Sequence, residues 1–242
     1  MKVALVLIIV AVAGNIILFM MGVSPFNLVN VNVKKTVTPE DIRNLQVTTD
    51  TEDIELVTYS GKDIQVLLHG KTTKRWEDDY ELQIERNNGE LTISVHEKTK
   101  QKFFVIYTSI KLTIQVPKNM MDQIHILTDT GDTTINQVVA KEFRLNSDTG
   151  SVNADVDEGK FDIATDTGDI LLQLKNITSD ISAKTDTGDI TIIVAEAPVN
   201  LQYQLETEDG NQETDFPQSV SDEGGPRVNL TSDTGDLKLI QR

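Results

Sequence analysis

The tetrapeptide Asp-Thr-Gly-Asp recurs at 129–132, 166–169, 186–189 and 233–236, with Asp-Thr-Gly-Ser at 148–151. Degenerate copies stand at Asp50-Thr51-Glu52-Asp53, Asn87-Asn88-Gly89-Glu90 and Glu208-Asp209-Gly210-Asn211. First residues of successive copies lie 37, 42, 19, 18, 20, 22 and 25 positions apart. Self-similarity at a period of this length marks a repeat architecture, in which each unit is too small to bury its own apolar face and must stack on its neighbours. The first two intervals are close to twice the others and leave room for two further coils whose turns have lost the motif.

Apolar residues keep fixed offsets on both sides of the turn. Before it stand Phe143 and Leu145, Phe161 and Ile163, Ile181 and Ala183, Val228 and Leu230. After it stand Val152 and Ala154, Ile170 and Leu172, Ile190 and Ile192, Leu237 and Leu239. The spacing is two on each side, which is the period of a strand. The degenerate copies obey it too: Leu45, Val47, Ile54 and Leu56 bracket Asp50, and Leu82, Ile84, Leu91 and Ile93 bracket Asn87.

Strand, glycine turn and strand, repeated about every 19 residues, predict an all-β fold: a parallel β-solenoid. In the turn, Gly supplies a positive φ, and the first Asp is suited to accept backbone N–H groups as an Asx-turn. A meander of antiparallel hairpins is the competing fold, and the irregular intervals before residue 122 suit hairpins there. The chain then divides into a transmembrane anchor (1–24), a linker (25–36), irregular N-terminal β repeats (37–121) and regular acidic solenoid repeats (122–242). Thr38-Pro39-Glu40-Asp41 reads as a capped helical turn at the domain entrance. Thr72 to Tyr80 reads as an exposed loop with one packed indole, Trp76. Pro217 to Pro226 reads as an acidic insertion.

The anchor rests on an apolar run from Val3 to Val23, interrupted by Gly14 and Asn15. Twenty-one helical residues would extend about 31 Å, enough for a bilayer core. Ala11-Val12-Ala13 has the small-x-small form of a signal-peptide cleavage site, but cleavage there would leave apolar Ile16 to Val23 at the new terminus. The uncleaved anchor is the preferred reading. Lys2 on one side and Lys34 and Lys35 on the other leave its orientation open.

Charge is placed unevenly. Residues 122 to 242 carry 24 acidic and 8 basic side chains, which accounts for the whole net charge of −16. Such a field repels phosphate backbones, so nucleic acid is excluded as a partner, and cations or basic partners are favoured. With no cysteine in the chain, disulfides and thiol chemistry are excluded. His69, His96 and His125 are scattered without metal-ligand or triad spacing. Asp-Thr-Gly also carries the catalytic aspartate of pepsin-like proteases, but there two aspartates share one proton, whereas here the motif is repeated as turn chemistry. A carbohydrate-active β-helix would need an acid–base pair that breaks the repeat, and none stands out.

Together, the N-terminal apolar segment, the weak β repeats, the stretch Leu112-Thr113-Ile114-Gln115-Val116-Pro117 and the tandem Asp-Thr-Gly-Asp turns resemble the bacterial "putative adhesin" family. These are β-repeat proteins of unknown function, with membrane-anchored members in Firmicutes linked to cell-envelope stress. The similarity covers roughly residues 37 to 242. It implies a solenoid domain outside the membrane, and it brings no catalytic residue with it.

These readings converge on a non-enzymatic, single-pass membrane protein with an extracytoplasmic β domain, acting as an adhesin-like interaction or cell-envelope module. Its acidic surface would meet an envelope protein, a cationic peptide, or divalent ions bridging to a wall polymer. An envelope polysaccharide-acting enzyme and a membrane regulator of envelope-stress signalling are the alternatives. Stacking at about 4.8 Å per coil would set the aspartates in columns: Asp129, Asp148, Asp166 and Asp186 in one, and Asp132, Asp169 and Asp189 with Ser151 in the other, with Asp233 and Asp236 in the last turn. Those carboxylates are candidate calcium ligands if backbone carbonyls or water complete the shell. Turn formation explains them without a cofactor.

Overall fold

The computed structural model describes residues 2–20, 24, 27–99, 108–118, 121–198, 200–217 and 224–242. Alternation dominates. In Ala140–Thr149 the side chains of Phe143, Leu145 and Ser147 are buried while those of Arg144 and Asn146 face solvent, the half-buried strand that period-two spacing demands. Strands of this kind build a ten-stranded and a nine-stranded sheet around one core.

Six coils each place one strand in the nine-stranded sheet, turn tightly at the motif or, for the first of them, at the degenerate copy Asp50-Thr51-Glu52-Asp53, and place the next strand in the ten-stranded sheet. They are β2 and β3 (Asn44–Thr49, Asp53–Tyr59), β8 and β9 (Met121–Thr130, Thr133–Asn136), and β10 and β11 (Ala140–Thr149, Val152–Val156). The others are β12 and β13 (Lys160–Thr167, Ile170–Leu174), β14 and β15 (Ile181–Thr187, Ile190–Val194), and β18 and β19 (Arg227–Thr234, Leu237–Gln241). A seventh, β16 and β17 (Gln202–Asp209, Gln212–Thr214), turns at the degenerate copy. Pairing between these coils is parallel throughout. Equivalent residues therefore sit over one another, and Phe143 and Phe161 stack with centroids 4.7 Å apart and planes within 5°.

The stack is not in chain order. β19 pairs with β15 on one side and β17 on the other, and β18 likewise lies between β14 and β16. The last coil is thus slotted inside the one that precedes it. Leu237 and Leu239, which chain order would leave at an exposed edge, are fully buried. Phe216, just after β17, packs into the end of the core, and its carbonyl accepts the Tyr203 hydroxyl at 3.0 Å.

The N-terminal third departs from the solenoid. β1 (Leu28–Val37) and β4 (Ile64–Thr73) form an antiparallel pair, and β4 pairs antiparallel with β7 (Ser109–Pro117). β5 (Tyr80–Asn87) and β6 (Glu90–Glu97) form a hairpin in which Asn87 faces Glu90. Asn88 and Gly89 have φ of 47° and 81°, the two positive values of a type I′ turn. The Asn87-Asn88-Gly89-Glu90 copy is therefore a hairpin and not a coil turn. One coil without the motif does exist, β6 with β7, stacked outside β2 and β3. The other described strands of the long intervals, β4 and β5, pair antiparallel.

Two local expectations change, and the packed indole is found where it was expected. From Leu28 the stretch read as a linker is strand β1. Thr38 to Asp41 makes no helix: the Ile42 N–H donates to the Pro39 carbonyl at 3.1 Å, with Asp41 at φ 62°, a β-turn. Trp76 ends a 3-10 turn (Lys74–Trp76), buried, with the Arg75 guanidinium 5.0 Å from its ring. Most of the Pro217 to Pro226 insertion lies outside the described residues.

The N-terminal helix α1 (Lys2–Met20) has 19 residues, with Val6 to Val10, Val12, Ile16, Ile17, Phe19 and Met20 exposed. Among the described residues no helix is long and apolar enough to cross a membrane. The apolar run read from the sequence continues through residues 21–23, outside the described residues.

Candidate functional site: the stacked turn rim

Each motif turn crosses from one sheet to the other, and strand register sets the turns over one another. Thr130, Thr149, Thr167, Thr187 and Thr234 are partners in succession. Asp129, Asp148, Asp166, Asp186 and Asp233 thereby form one column, and Asp132, Ser151, Asp169, Asp189 and Asp236 another.

The two columns do different work. In the second, each side chain accepts the backbone N–H of the equivalent residue in the next coil. Oδ1 of Asp132 takes the Ser151 N–H, Asp169 that of Asp189, Asp189 that of Asp236, and Asp236 that of Asn211, all at 2.8 Å. Asp53 begins the chain with the Asp132 N–H at 3.1 Å, and the Ser151 hydroxyl substitutes with Asp169 at 3.4 Å. Bonds of this charge-assisted kind favour the ionised acid. The Asn211 backbone N–H, helped by its amide, holds the Asp236 carboxyl below the ordinary carboxylate value.

The first column makes no such bonds. Among the described residues, the exposed side chains of Asp129, Asp148, Asp166 and Asp233 engage no hydrogen bond or ion pair. Asp186 faces Lys184 at 3.3 Å. The Asx-turn expected of the first position is thus not made, and the fourth position accepts backbone N–H groups between coils instead. Neighbouring carboxylates at the inter-coil spacing of about 4.8 Å repel by roughly 0.9 kcal/mol in a water-like dielectric.

Behind the rim, the residue preceding the motif is buried, and in three coils it ties the turn to its neighbour, whereas the Ser147 hydroxyl makes no such bond. The hydroxyls of Thr165, Thr185 and Ser232 donate to the carbonyls of Gly150, Gly168 and Gly188 in the adjacent coil, at 3.3, 3.1 and 3.0 Å. Gly is required for space as well as for conformation. Gly168 has φ +152°, and a Cβ on it would overlap the Gly150 carbonyl. The column ends at β2 and β3, where Glu52 stands in place of Gly.

Among the described residues, no group of three or more His, Cys, Asp or Glu side chains could hold a metal ion. The fourth-position carboxylates named as calcium candidates, Asp132, Asp169, Asp189 and Asp236, are occupied by backbone N–H groups. Sequence reasoning missed Asp53 and Asn211 as ends of that ladder, although both stand at the fourth position of degenerate copies.

The family model of Toastrack DUF4097 matches residues 42–156 and again 122–240. The two placements share residues 122–156, as a repeating chain allows. The chain belongs to the Toastrack family. This is not a known enzyme family. The Toastrack fold is shared with a protein of Clostridium sporogenes described as "a putative cell adhesion protein", at TM-score 0.55 and 10% identity, over 88% of this chain and all of that one. Two further similar structures are described as "putative adhesin". That of Bacteroides fragilis has TM-score 0.36 and 12% identity, over 87% of this chain and 97% of the other. That of Parabacteroides distasonis has TM-score 0.38 and 11% identity, over 86% and 97%. No curated protein matches the chain.

Proposed function

We propose that this Toastrack protein is a non-enzymatic, membrane-anchored, extracytoplasmic interaction module of the cell envelope, presenting its acidic rim to cationic partners. The observation that carries this reading is the first-position column. Four of its five carboxylates are exposed and without a partner among the described residues, the fifth, Asp186, meets only Lys184, and the column repeats in register along the stack.

The surrounding cations do not neutralise the field. Lys141 is held by Asp122 at 2.6 Å, and Lys160 and Arg144 by Glu142 at 3.1 and 3.2 Å. Burial pushes the Glu142 carboxyl up, but hydrogen bonds from Lys160 and Arg144 outweigh it and hold it below the ordinary value. With the few basic groups paired locally, an incoming cation meets the surplus carboxylates. The names given to similar proteins, "putative adhesin" and "putative cell adhesion protein", agree with an interaction role.

Anchoring is part of the proposal. Its support is the apolar run from Val3 to Val23 and the exposure of α1 side chains on successive positions from Val6 to Val10, which leaves the helix apolar all round. In cell fractions the full chain is expected in the membrane pellet after alkaline extraction, and release to the supernatant would refute the anchor. For the rim, binding of a labelled poly-lysine probe to the full chain is expected to weaken at least tenfold between about 0.02 and 0.2 M salt, as the Debye length shortens. Salt-insensitive binding, or none at low salt, would refute the electrostatic reading.

A further inference from the structure

Glu52 breaks the glycine column at the point where regular coils meet the irregular N-terminal strands. Gly131, next in the stack, lies so close that a Cβ on it would come 2.6 Å from the Glu52 carbonyl. The Glu52 backbone therefore stacks as a glycine does in the other coils, but the residue carries a full acidic side chain. Beyond that turn, β6 and β7 pair with the outer sides of β2 and β3.

The carboxyl is completely buried. Its Oε2 accepts the Thr51 N–H at 3.2 Å, and its Oε1 has no hydrogen-bond partner among the described residues. Among the described residues, the charged groups around it are mostly acidic. From its own turn come Asp50 and Asp53. From β6 come Glu97, whose N–H donates to Asp50 Oδ2 at 3.3 Å, and His96, whose Nδ1 lies 3.9 Å from Asp50 Oδ1. The adjoining coil carries Asp129 and Asp132 in its own turn, where Asp132 Oδ1 accepts the Ser151 N–H. Lys98, just past β6, donates to the Asp78 carbonyl at 2.9 Å.

We propose that Glu52 is a proton-operated latch on the N-terminal end of the turn stack: with the proton bound, the β2–β3 turn and β6 close over it, and on ionisation that seam loosens. A neutral carboxylic acid is tolerated in such a place, whereas an anion facing Asp50 and Glu97 without solvent is not. Burial, with the charges of Glu97 and Asp50 adding to it, pushes the Glu52 carboxyl from 4.5 up to about 7. Since the folded state holds this proton more tightly than the unfolded chain, the seam is most stable below pH 4.5, weakens as pH rises from 4.5 to 7, and is weakest above 7. The latch is independent of the partner proposed for the rim.

Thermal melting of the full chain and of Glu52→Gln across pH 5 to 8.5 tests it. Wild type and variant should melt together near pH 5, and wild type should fall behind by on the order of 5 °C at pH 8.5. A difference that does not change with pH would overturn the proposal. Because His96 lies beside Asp50 in the same seam, His96→Gln must keep the wild-type profile, and its loss would assign the transition to His96. Should Glu52→Gln fail to fold, the carboxyl carbon shift of Glu52 in the wild-type protein decides. A midpoint near 7 supports the latch, and one near the ordinary 4.5 overturns it.

Discussion

Within one motif, two aspartates three positions apart look interchangeable in the sequence and are not. Asp169 accepts a backbone N–H across coils, while Asp166 points into water. Replacing Asp169 with Ala should cost about 1 kcal/mol, the usual worth of a capping bond. Asp166→Ala should stay within about 0.5 kcal/mol, or stabilise slightly at low salt by relieving repulsion. Denaturant unfolding of the two variants reads the difference directly, and equal effects would contradict the division of labour. Gly168→Ala should cost more than either, about 2–4 kcal/mol, because the methyl group meets a carbonyl in a conformation that L-residues avoid. The need for Gly and Asp was readable from the repeat. Which Asp bonds was not, because the partner N–H belongs to another coil and no local turn rule specifies it. Glu52 escaped for a related reason: a glutamate in a degenerate motif reads as decay, and only its burial gives it a role.

At the scale of strands, the period-two flanks placed the elements of the regular coils closely, since a register slip of one residue would turn every buried Ile and Leu outward. Two things were hidden. Asn88-Gly89 closes a hairpin while Thr167-Gly168 closes a coil, and both are Gly turns between strands with the same alternation. The stacking order was equally opaque, since β18 and β19 fit either beside β16 and β17 or inside them, and apolar spacing is the same for both. Hydrogen exchange separates the two orders. Amides of β18 and β19, covered on both sides, should be protected as strongly as those of β14 and β15, and β16 and β17 should exchange faster as the end coil. Slowest exchange in β16 and β17 would restore chain order. Leu239→Ala should accordingly cost about 2–5 kcal/mol, the range for a buried leucine and not for one at an edge.

For the whole molecule, the same backbone that stacks the coils also concentrates charge. Parallel register turns one Asp per repeat into a column, so the asymmetry between the chain's halves becomes a rim on one side of a rigid stack. That conversion was legible in outline from the 19-residue spacing and the count of acids, because any in-register solenoid aligns equivalent residues. The partner was not, since a column of free carboxylates specifies sign and spacing but no shape. A pair of triple variants separates the structural from the presenting role. Neutralising the free column in Asp148→Asn, Asp166→Asn, Asp233→Asn should leave the melting temperature nearly unchanged, yet weaken poly-lysine binding and flatten its salt dependence. Neutralising the bonded column in Asp132→Asn, Asp169→Asn, Asp189→Asn removes a similar charge but exchanges each ionic acceptor for a neutral amide oxygen, so it should lower the melting temperature by several degrees. If both triples weakened binding equally with the fold intact, net charge alone would attract the cation and the ordered column would have no special part. Selective loss in the first triple would instead make the column itself the recognition surface, with its repeat spacing matched to an extended cationic chain.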